Sequence, residues 1–125
     1  MPTIQQITVR VTPQYLREQS DPEANQYVFA YTVRMENTGN IPARLLSRHW
    51  VITDADGETR EVRGPGVVGE HPHLQPGDHY EYTSGAILTT PVGSMMGSYQ
   101  MQDDEGSMFD AAIPAFTLSA EVMFH

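Results

Sequence analysis

The sequence predicts an all-β protein in which two antiparallel sheets pack as a sandwich. Apolar and polar residues alternate along several segments, for example residues 27–35, and this period of two is typical of half-buried strands. Helical periodicity is almost absent from the chain. Clusters of glycine, proline, asparagine and aspartate separate the alternating segments. Several short strands divided by such turns are typical of a two-sheet sandwich.

The alternation places roughly eight strands, near residues 4–12, 26–36, 44–53, 58–63, 78–84, 95–102, 107–112 and 116–124. Residues 64–77 contain too much proline and glycine for a strand, and residues 84–93 are expected to form an irregular crossover. Four turn clusters are expected to join their flanking runs at hairpin-like spacing. They are residues 36–40, 54–57, 75–78 and 103–106.

Large aromatic side chains at alternating positions are expected to fill the space between the sheets. They are Tyr31, Trp50, Tyr82, Tyr99 and Phe109. A chain of 125 residues can bury such a core as one domain, spanning 1–125. The sequence has no cysteine, so it uses neither disulfides nor thiolate chemistry.

The charge balance limits the classes of partner. Sixteen acidic residues stand against seven arginines, lysine is absent, and the formal net charge is -9. Such a surface repels phosphate backbones and anionic lipids, so nucleic-acid binding and membrane insertion are not expected, whereas a cation or a basic protein surface is compatible. The amino-terminal segment alternates and has no continuous apolar run, which favours a cytoplasmic protein.

The glycines Gly64, Gly66 and Gly69 form a G-x-G-x-x-G pattern. In dinucleotide-binding proteins this pattern places a helix amino terminus against the pyrophosphate. Here prolines and a glycine follow within residues 70–77, and they prevent a helix. An anion could still bind the backbone amides of a glycine-rich turn, aided by Arg60 and Arg63. The simpler interpretation is a tight loop whose glycines adopt positive φ while two valines, Val67 and Val68, cover a sheet edge.

Histidines cluster directly after these glycines. His71 and His73 would lie on one side of an extended segment, and Asp78 could complete a set of metal ligands. The spacing also approaches a cupin pattern, but the acidic residue is of the wrong type and no second half follows. We therefore assign no metal, no cofactor and no catalytic residues. A weakly bound divalent cation or phosphate-rich nucleotide near residues 64–77 remains the alternative.

Longer sequence segments resemble the bacterial ApaG family, from about Val9 to Leu118. The motifs that carry this resemblance are Ser47-Arg48-His49-Trp50 with Ile52-Thr53-Asp54, Val62-x-Gly64-x-Gly66-Val67-Val68-Gly69, Pro76-Gly77, Tyr82-x-Ser84-Gly85, Pro91-x-Gly93-x-Met95-x-Gly97-x-Tyr99 and Ile113-Pro114-x-Phe116.

The resemblance implies a sandwich of the fibronectin type III or immunoglobulin-like kind. It also implies a module that contacts other proteins, because the same domain occurs in F-box proteins, and it implies an indirect link to cobalt resistance and magnesium efflux. It supplies no catalytic residues. We therefore expect a non-enzymatic interaction module that presents a binding loop to a protein partner. The residues assigned to that loop are Arg60, Arg63, Gly64, Gly66, Gly69, His71 and His73.

Overall fold

The computed structural model describes residues 2–120. Eight strands and two short 3-10 helices, Arg17–Gln19 and Pro22–Ala24, make up the fold. The strands are β1 (Ile7–Tyr15), β2 (Tyr27–Asn37), β3 (Ala43–Asp54), β4 (Thr59–Pro65), β5 (His73–Leu74), β6 (His79–Leu88), β7 (Val92–Asp103) and β8 (Met108–Ser119). Across the described residues, no helix has the length and apolar character needed to cross a membrane.

The strands form two antiparallel sheets, as the sequence predicts. One sheet has the order β1-β2-β6, and the other has the order β4-β3-β7-β8 with β5 paired to the end of β3. This arrangement confirms the predicted sandwich of the fibronectin type III or immunoglobulin-like class. Strand β1 packs against β8 across the sandwich. The remaining edge strands, β4 and β6, therefore lie together on the opposite side.

Several predicted boundaries are wrong. Strand β6 continues to Leu88 and β7 begins at Val92, so the expected crossover at 84–93 does join the two sheets, but it occupies only residues 89–91. Strand β8 is continuous where two strands were predicted, because Pro114 lies on an edge strand at a β-bulge opposite Met96, and edge strands and bulges are positions that accept proline. The predicted continuation past 120 lies outside the described residues.

Two of the four expected hairpins join the sheets instead. The turns at 54–57 and 103–106 connect neighbouring strands of one sheet, whereas residues 36–40 and 75–78 lead from one sheet to the other. The buried side chain of Asn37 holds both crossings. Its Nδ2 donates to the carbonyls of Ile41 and Leu74, each at 2.9 Å, so this buried amide links the two crossings to each other.

The aromatic core lies where the sequence predicts it, except that Phe109 is only half-buried. Trp50 is at its centre, with ring centroids of Tyr31, Phe116 and Tyr99 at 5.3, 6.0 and 6.4 Å in edge-to-face geometry. The hydroxyls of Tyr82 on β6 and Tyr99 on β7 share a hydrogen bond. This bond is a direct polar link between the two sheets.

The tyrosine pair should make the fold sensitive to alkali. Burial raises the pKa of Tyr82 to about 12 and also raises the pKa of Tyr99. Both are neutral in the folded state, whereas the unfolded chain ionises near its ordinary value of 10.0. The stability of the wild type is therefore complete below pH 10 and lost progressively as the pH rises toward about 12.

We expect a Tyr82→Phe/Tyr99→Phe variant to keep its stability at neutral pH and to lose less of it above pH 10, because both partners of the bond are removed together. The single variant Tyr82→Phe should lose about 1–3 kcal/mol at neutral pH, since it leaves the Tyr99 hydroxyl unpaired. Urea unfolding at pH 7.5 and at alkaline pH measures both effects. An equal alkaline loss in wild type and double variant would contradict the assignment.

Gly97 on β7 is required by close packing of backbones. A Cβ added there would clash with the carbonyl oxygen of His49 on the neighbouring strand β3. We expect Gly97→Ala to lower the free energy of unfolding by about 2 kcal/mol or more, because backbone must move to relieve the overlap. Gly85→Ala is the control, since its Cβ would meet only the Phe29 carbonyl oxygen at 3.5 Å. Similar thermal midpoints for both variants would refute this explanation.

Candidate binding loop and cleft

The site is organised by a β-bulge in β3. Leu45 pairs with Met101 and Ser47 pairs with Gln100 on β7, which leaves Leu46 as an extra residue. A bulge reverses which residues face inward, because side chains alternate along a strand. Leu45 is buried before the bulge, and Trp50 and Ile52 are buried after it. Arg48 is in phase with these two and therefore lies on the inner side of β3.

The predicted loop, residues 64–77, follows β3 along its edge. Strand β4 pairs with β3 on one side of the bulge and β5 pairs with it on the other. Between them, the Gly66 amide donates to the Leu46 carbonyl, and the Leu45 amide donates to the Pro72 carbonyl, both at 2.9 Å. The loop is therefore attached to β3 through backbone at both of its ends.

Arg48 reinforces this attachment from inside. Its Nη1 donates to the carbonyls of Pro65 and Gly66, each at 2.9 Å. The guanidinium lies against Gly64, where a Cβ would be 2.9 Å from Nη2. Gly64 therefore makes room for a charged side chain rather than for a phosphate. In the part of the loop that leads to β5, Arg44 Nη1 donates to the His71 carbonyl at 3.1 Å.

The outermost part of the loop is a tight turn over residues 67–70. The amides of Val67 and Glu70 each donate to the other residue's carbonyl, at 2.9 and 2.8 Å. Val68 and Gly69 between them have φ of 44° and 79°, as in the two-residue turns of β-hairpins. Val67 is 1% exposed and Val68 is 56% exposed. The expectation that both valines cover a sheet edge therefore holds for Val67 but not for Val68.

The structure does not assemble the anion site considered from the sequence. The amides of Gly66, Val67 and Glu70 already donate to backbone carbonyls. Arg60 and Arg63 lie on opposite faces of β4: Arg60 Nη2 donates to the Ile87 carbonyl at 2.7 Å, whereas Arg63 is exposed and lies 3.5 Å from a carboxylate oxygen of Glu61. After Gly69 the chain leads to strand β5 and not to a helix.

The histidines also have separate partners. His71 Nδ1 donates to the Leu45 carbonyl at 3.1 Å, and His73 Nε2 donates to the Asp104 carboxylate at 2.7 Å. The Asp78 carboxylate accepts a hydrogen bond from the backbone amide of Gln75 at 2.9 Å. Between residues 2 and 120, no three histidine, aspartate or glutamate side chains are grouped to hold a metal ion.

A cleft that the sequence did not indicate opens between the edge strands β4 and β6. Its volume is about 480 Å³, and its lining includes Tyr31, Arg48, Trp50, Arg60, Val62 and Ile87. It continues past Tyr31 and Arg48 to Val67 and Val68 of the turn. Of the predicted site residues, only Arg60 lines it. The available signal was the alternation Leu46-Arg48-Trp50-Ile52, which places an arginine in phase with buried residues.

We expect Arg48→Met to loosen the loop, because the apolar side chain of similar length cannot donate to the carbonyls of Pro65 and Gly66. The free energy of unfolding should fall by about 2 kcal/mol, and amide exchange at Gly66 and Val67 should become about tenfold faster. Hydrogen exchange followed by NMR measures this difference. Arg10→Met on β1, an exposed position, serves as the control. Unchanged amide exchange in Arg48→Met would show that the Arg48 hydrogen bonds do not hold the loop.

Comparison with known proteins supports the same architecture. A Bordetella pertussis crystal structure described as a putative ApaA protein has a TM-score of 0.89 and 52% sequence identity, covering 94% of both chains. "Protein ApaG" of Thiobacillus denitrificans is 58% identical over 96% of this chain and 94% of its own length. "Protein ApaG" of Pseudomonas aeruginosa is 58% identical over 98% of both.

The family assignment rests on a match to the ApaG domain over residues 17–103. This range contains the bulge, the clamped loop and both edges of the cleft. The resemblance found in the sequence is confirmed. The chain belongs to the ApaG domain family.

Proposed function

We propose that the protein is a non-enzymatic interaction module that presents the 64–77 loop and the adjoining edge strands β4 and β6 to a protein partner. The observation that carries this proposal is Val68, an exposed apolar residue held at positive φ. Any contribution to cobalt resistance or magnesium efflux would then be indirect, through that partner, and we place the module in the cytoplasm.

The conformation of Val68 has an energetic cost. A β-branched residue at positive φ is a genuine outlier, and the left-handed conformation costs roughly 1–2 kcal/mol for a residue with a Cβ. Arg48 and the Leu46 carbonyl fix the backbone on one side of the turn. Strain maintained by its surroundings is concentrated at ligand-contacting positions. The cost at Val68 is therefore consistent with selection for a displayed apolar side chain.

Other apolar residues extend this surface. Val62 on β4 is 39% exposed and Ile87 on β6 is 46% exposed, and both line the cleft. Apolar groups at the rim of a rigid framework are suited to partner binding, and loops carried by such a framework commonly supply recognition residues. The turn and the two strand edges thus form one continuous candidate interface.

The test begins with covalent capture of the partner. We expect Val68→p-benzoylphenylalanine to crosslink a defined protein under native conditions, because the side chain lies within the interface. The same substitution at Met108, which is 58% exposed at the start of β8, is the control. A species crosslinked equally from both positions would be non-specific.

With the partner purified, Val68→Asn separates binding from folding. Asparagine tolerates positive φ, so stability should be maintained or raised by about 1 kcal/mol. Affinity for the partner should fall about tenfold, since burial of the valine side chain is lost. Calorimetric titration and thermal unfolding measure the two quantities. Unchanged affinity in Val68→Asn and in a variant with residues 64–69 replaced by a neutral linker would remove the loop from this function.

A further inference from the structure

The cleft between β4 and β6 contains cationic groups without anionic partners. Arg60 Nη2 donates to the Ile87 carbonyl across the cleft, and Arg48 donates to two backbone carbonyls. In the part of the chain that the structure describes, neither guanidinium forms an ion pair, although sixteen acidic residues are available for seven arginines. Each guanidinium has five N–H donors, so both can still bind a carboxylate.

The wall of the cleft also contains a buried donor. The Trp50 side chain lines the cleft and its residue is 2% exposed. Its Nε1–H has no hydrogen-bond acceptor among the described residues. Buried indole N–H groups usually have a partner. The indole contributes an aromatic wall to the cleft, with Tyr31, Tyr99 and Phe116 packed around it in edge-to-face geometry.

The two walls are strand edges. β4 and β6 are the outer strands of their sheets, and edge strands carry backbone groups that can pair with an added extended chain. The Ile87 carbonyl shows that one such group on β6 is directed toward β4, because Arg60 reaches it across the cleft. The shape of the cleft and the two strand edges that form it thus favour an extended peptide.

We propose that the cleft binds an extended acidic segment of a partner protein. Aspartate or glutamate carboxylates of the segment pair with the guanidinium groups that line the cleft, and a neighbouring apolar side chain packs on Val62 and Ile87. This inference rests on the proposed interaction function and names the chemistry of the partner. Asp54 and Glu58 lie at the far end, with Arg60 between them and Arg48, so the acidic residue belongs nearer Arg48.

The overall charge of -9 does not oppose this assignment at short range. Exposed charges separated by more than about 8 Å are largely screened at physiological ionic strength. A carboxylate in contact with a guanidinium instead forms short, charge-assisted hydrogen bonds. The contact therefore depends on the charges within the cleft more than on the total charge of the chain.

The experiment uses a displayed library of random twelve-residue peptides selected on the full chain. We expect enriched peptides to combine an acidic residue with a large apolar one. Synthetic copies should change the fluorescence of Trp50, the single tryptophan of the sequence, in a saturable manner. Replacing the acidic residue by its amide should weaken binding about tenfold to a hundredfold. Absence of enrichment, or selection of peptides without acidic residues, would overturn the proposal.

Variants of the protein locate the contact. Arg60→Gln should lower the affinity for the peptide by a similar factor. Arg34→Gln, which removes the same charge from the outer face of β2, should change this affinity less than twofold. Ser84→Leu fills the cleft from β6 and should also abolish binding. Amide NMR spectra confirm that each variant is folded. Equal peptide affinity in Arg60→Gln and wild type would refute the assignment.

Two further arms separate this inference from the function on which it rests. Benzoate tests whether the carboxylate comes from a small molecule, and benzoate that binds more tightly than any peptide would overturn a peptide site. If the partner crosslinked from position 68 loses affinity in Val68→Asn but not in Arg60→Gln, the interaction function stands and the cleft inference fails. Loss of partner affinity in both variants supports the interaction function and the cleft inference. Unchanged affinity in both variants rejects the two together.

Discussion

The extra residue at Leu46 is the constraint on which the rest of the site depends. Without it, Arg48 would face outward, because alternation along β3 continues from the buried Leu45. With it, Arg48 faces inward beside Trp50, and the Leu46 carbonyl is available to the Gly66 amide. One bulge thus positions the charged side chain, the loop that it clamps and the pairing of β4 and β5 on the same edge. This is how bulges redirect side chains next to functional sites.

The two sides of the sandwich are closed by different means. On one side β1 and β8 pack together, and at one end of the sandwich Asn37 ties two of the crossings between the sheets through buried hydrogen bonds. On the other side β4 and β6 remain edges, and two polar contacts join the sheets: the Tyr82–Tyr99 hydroxyl pair within the core and the Arg60–Ile87 bond across the cleft. Polar contacts at a few points hold the sheets in place while leaving space between them. A fully apolar closure would fill that space.

The sequence predicted the fold well, whereas it did not indicate the cleft, and the binding role of the 64–77 loop stays a prediction. Period-two alternation indicates which residues lie in half-buried strands, so the sandwich and its aromatic core could be predicted from the sequence. It failed where small residues carry little pattern, as in Ser84-Gly85-Ala86, and where β5 is only two residues long. The cleft depends on which strand edges meet in space and on the register after a bulge. Sequence spacing also grouped His71 and His73 as metal ligands, whereas in the structure they bond separately to the Leu45 carbonyl and to Asp104.

Three unusual features lie along the turn and the cleft. Val68 has a strained backbone, Trp50 has a buried N–H without an acceptor, and Arg48 and Arg60 lack carboxylate partners in a chain rich in acidic residues. Local choices in a natural sequence usually agree with its fold, and exceptions are expected at functional positions. The turn and the cleft share Arg48 and Tyr31 in their linings, so these exceptions are neighbours. A single partner that covers Val68 and enters the cleft would pair with the guanidinium groups and bury the apolar side chain at the same time.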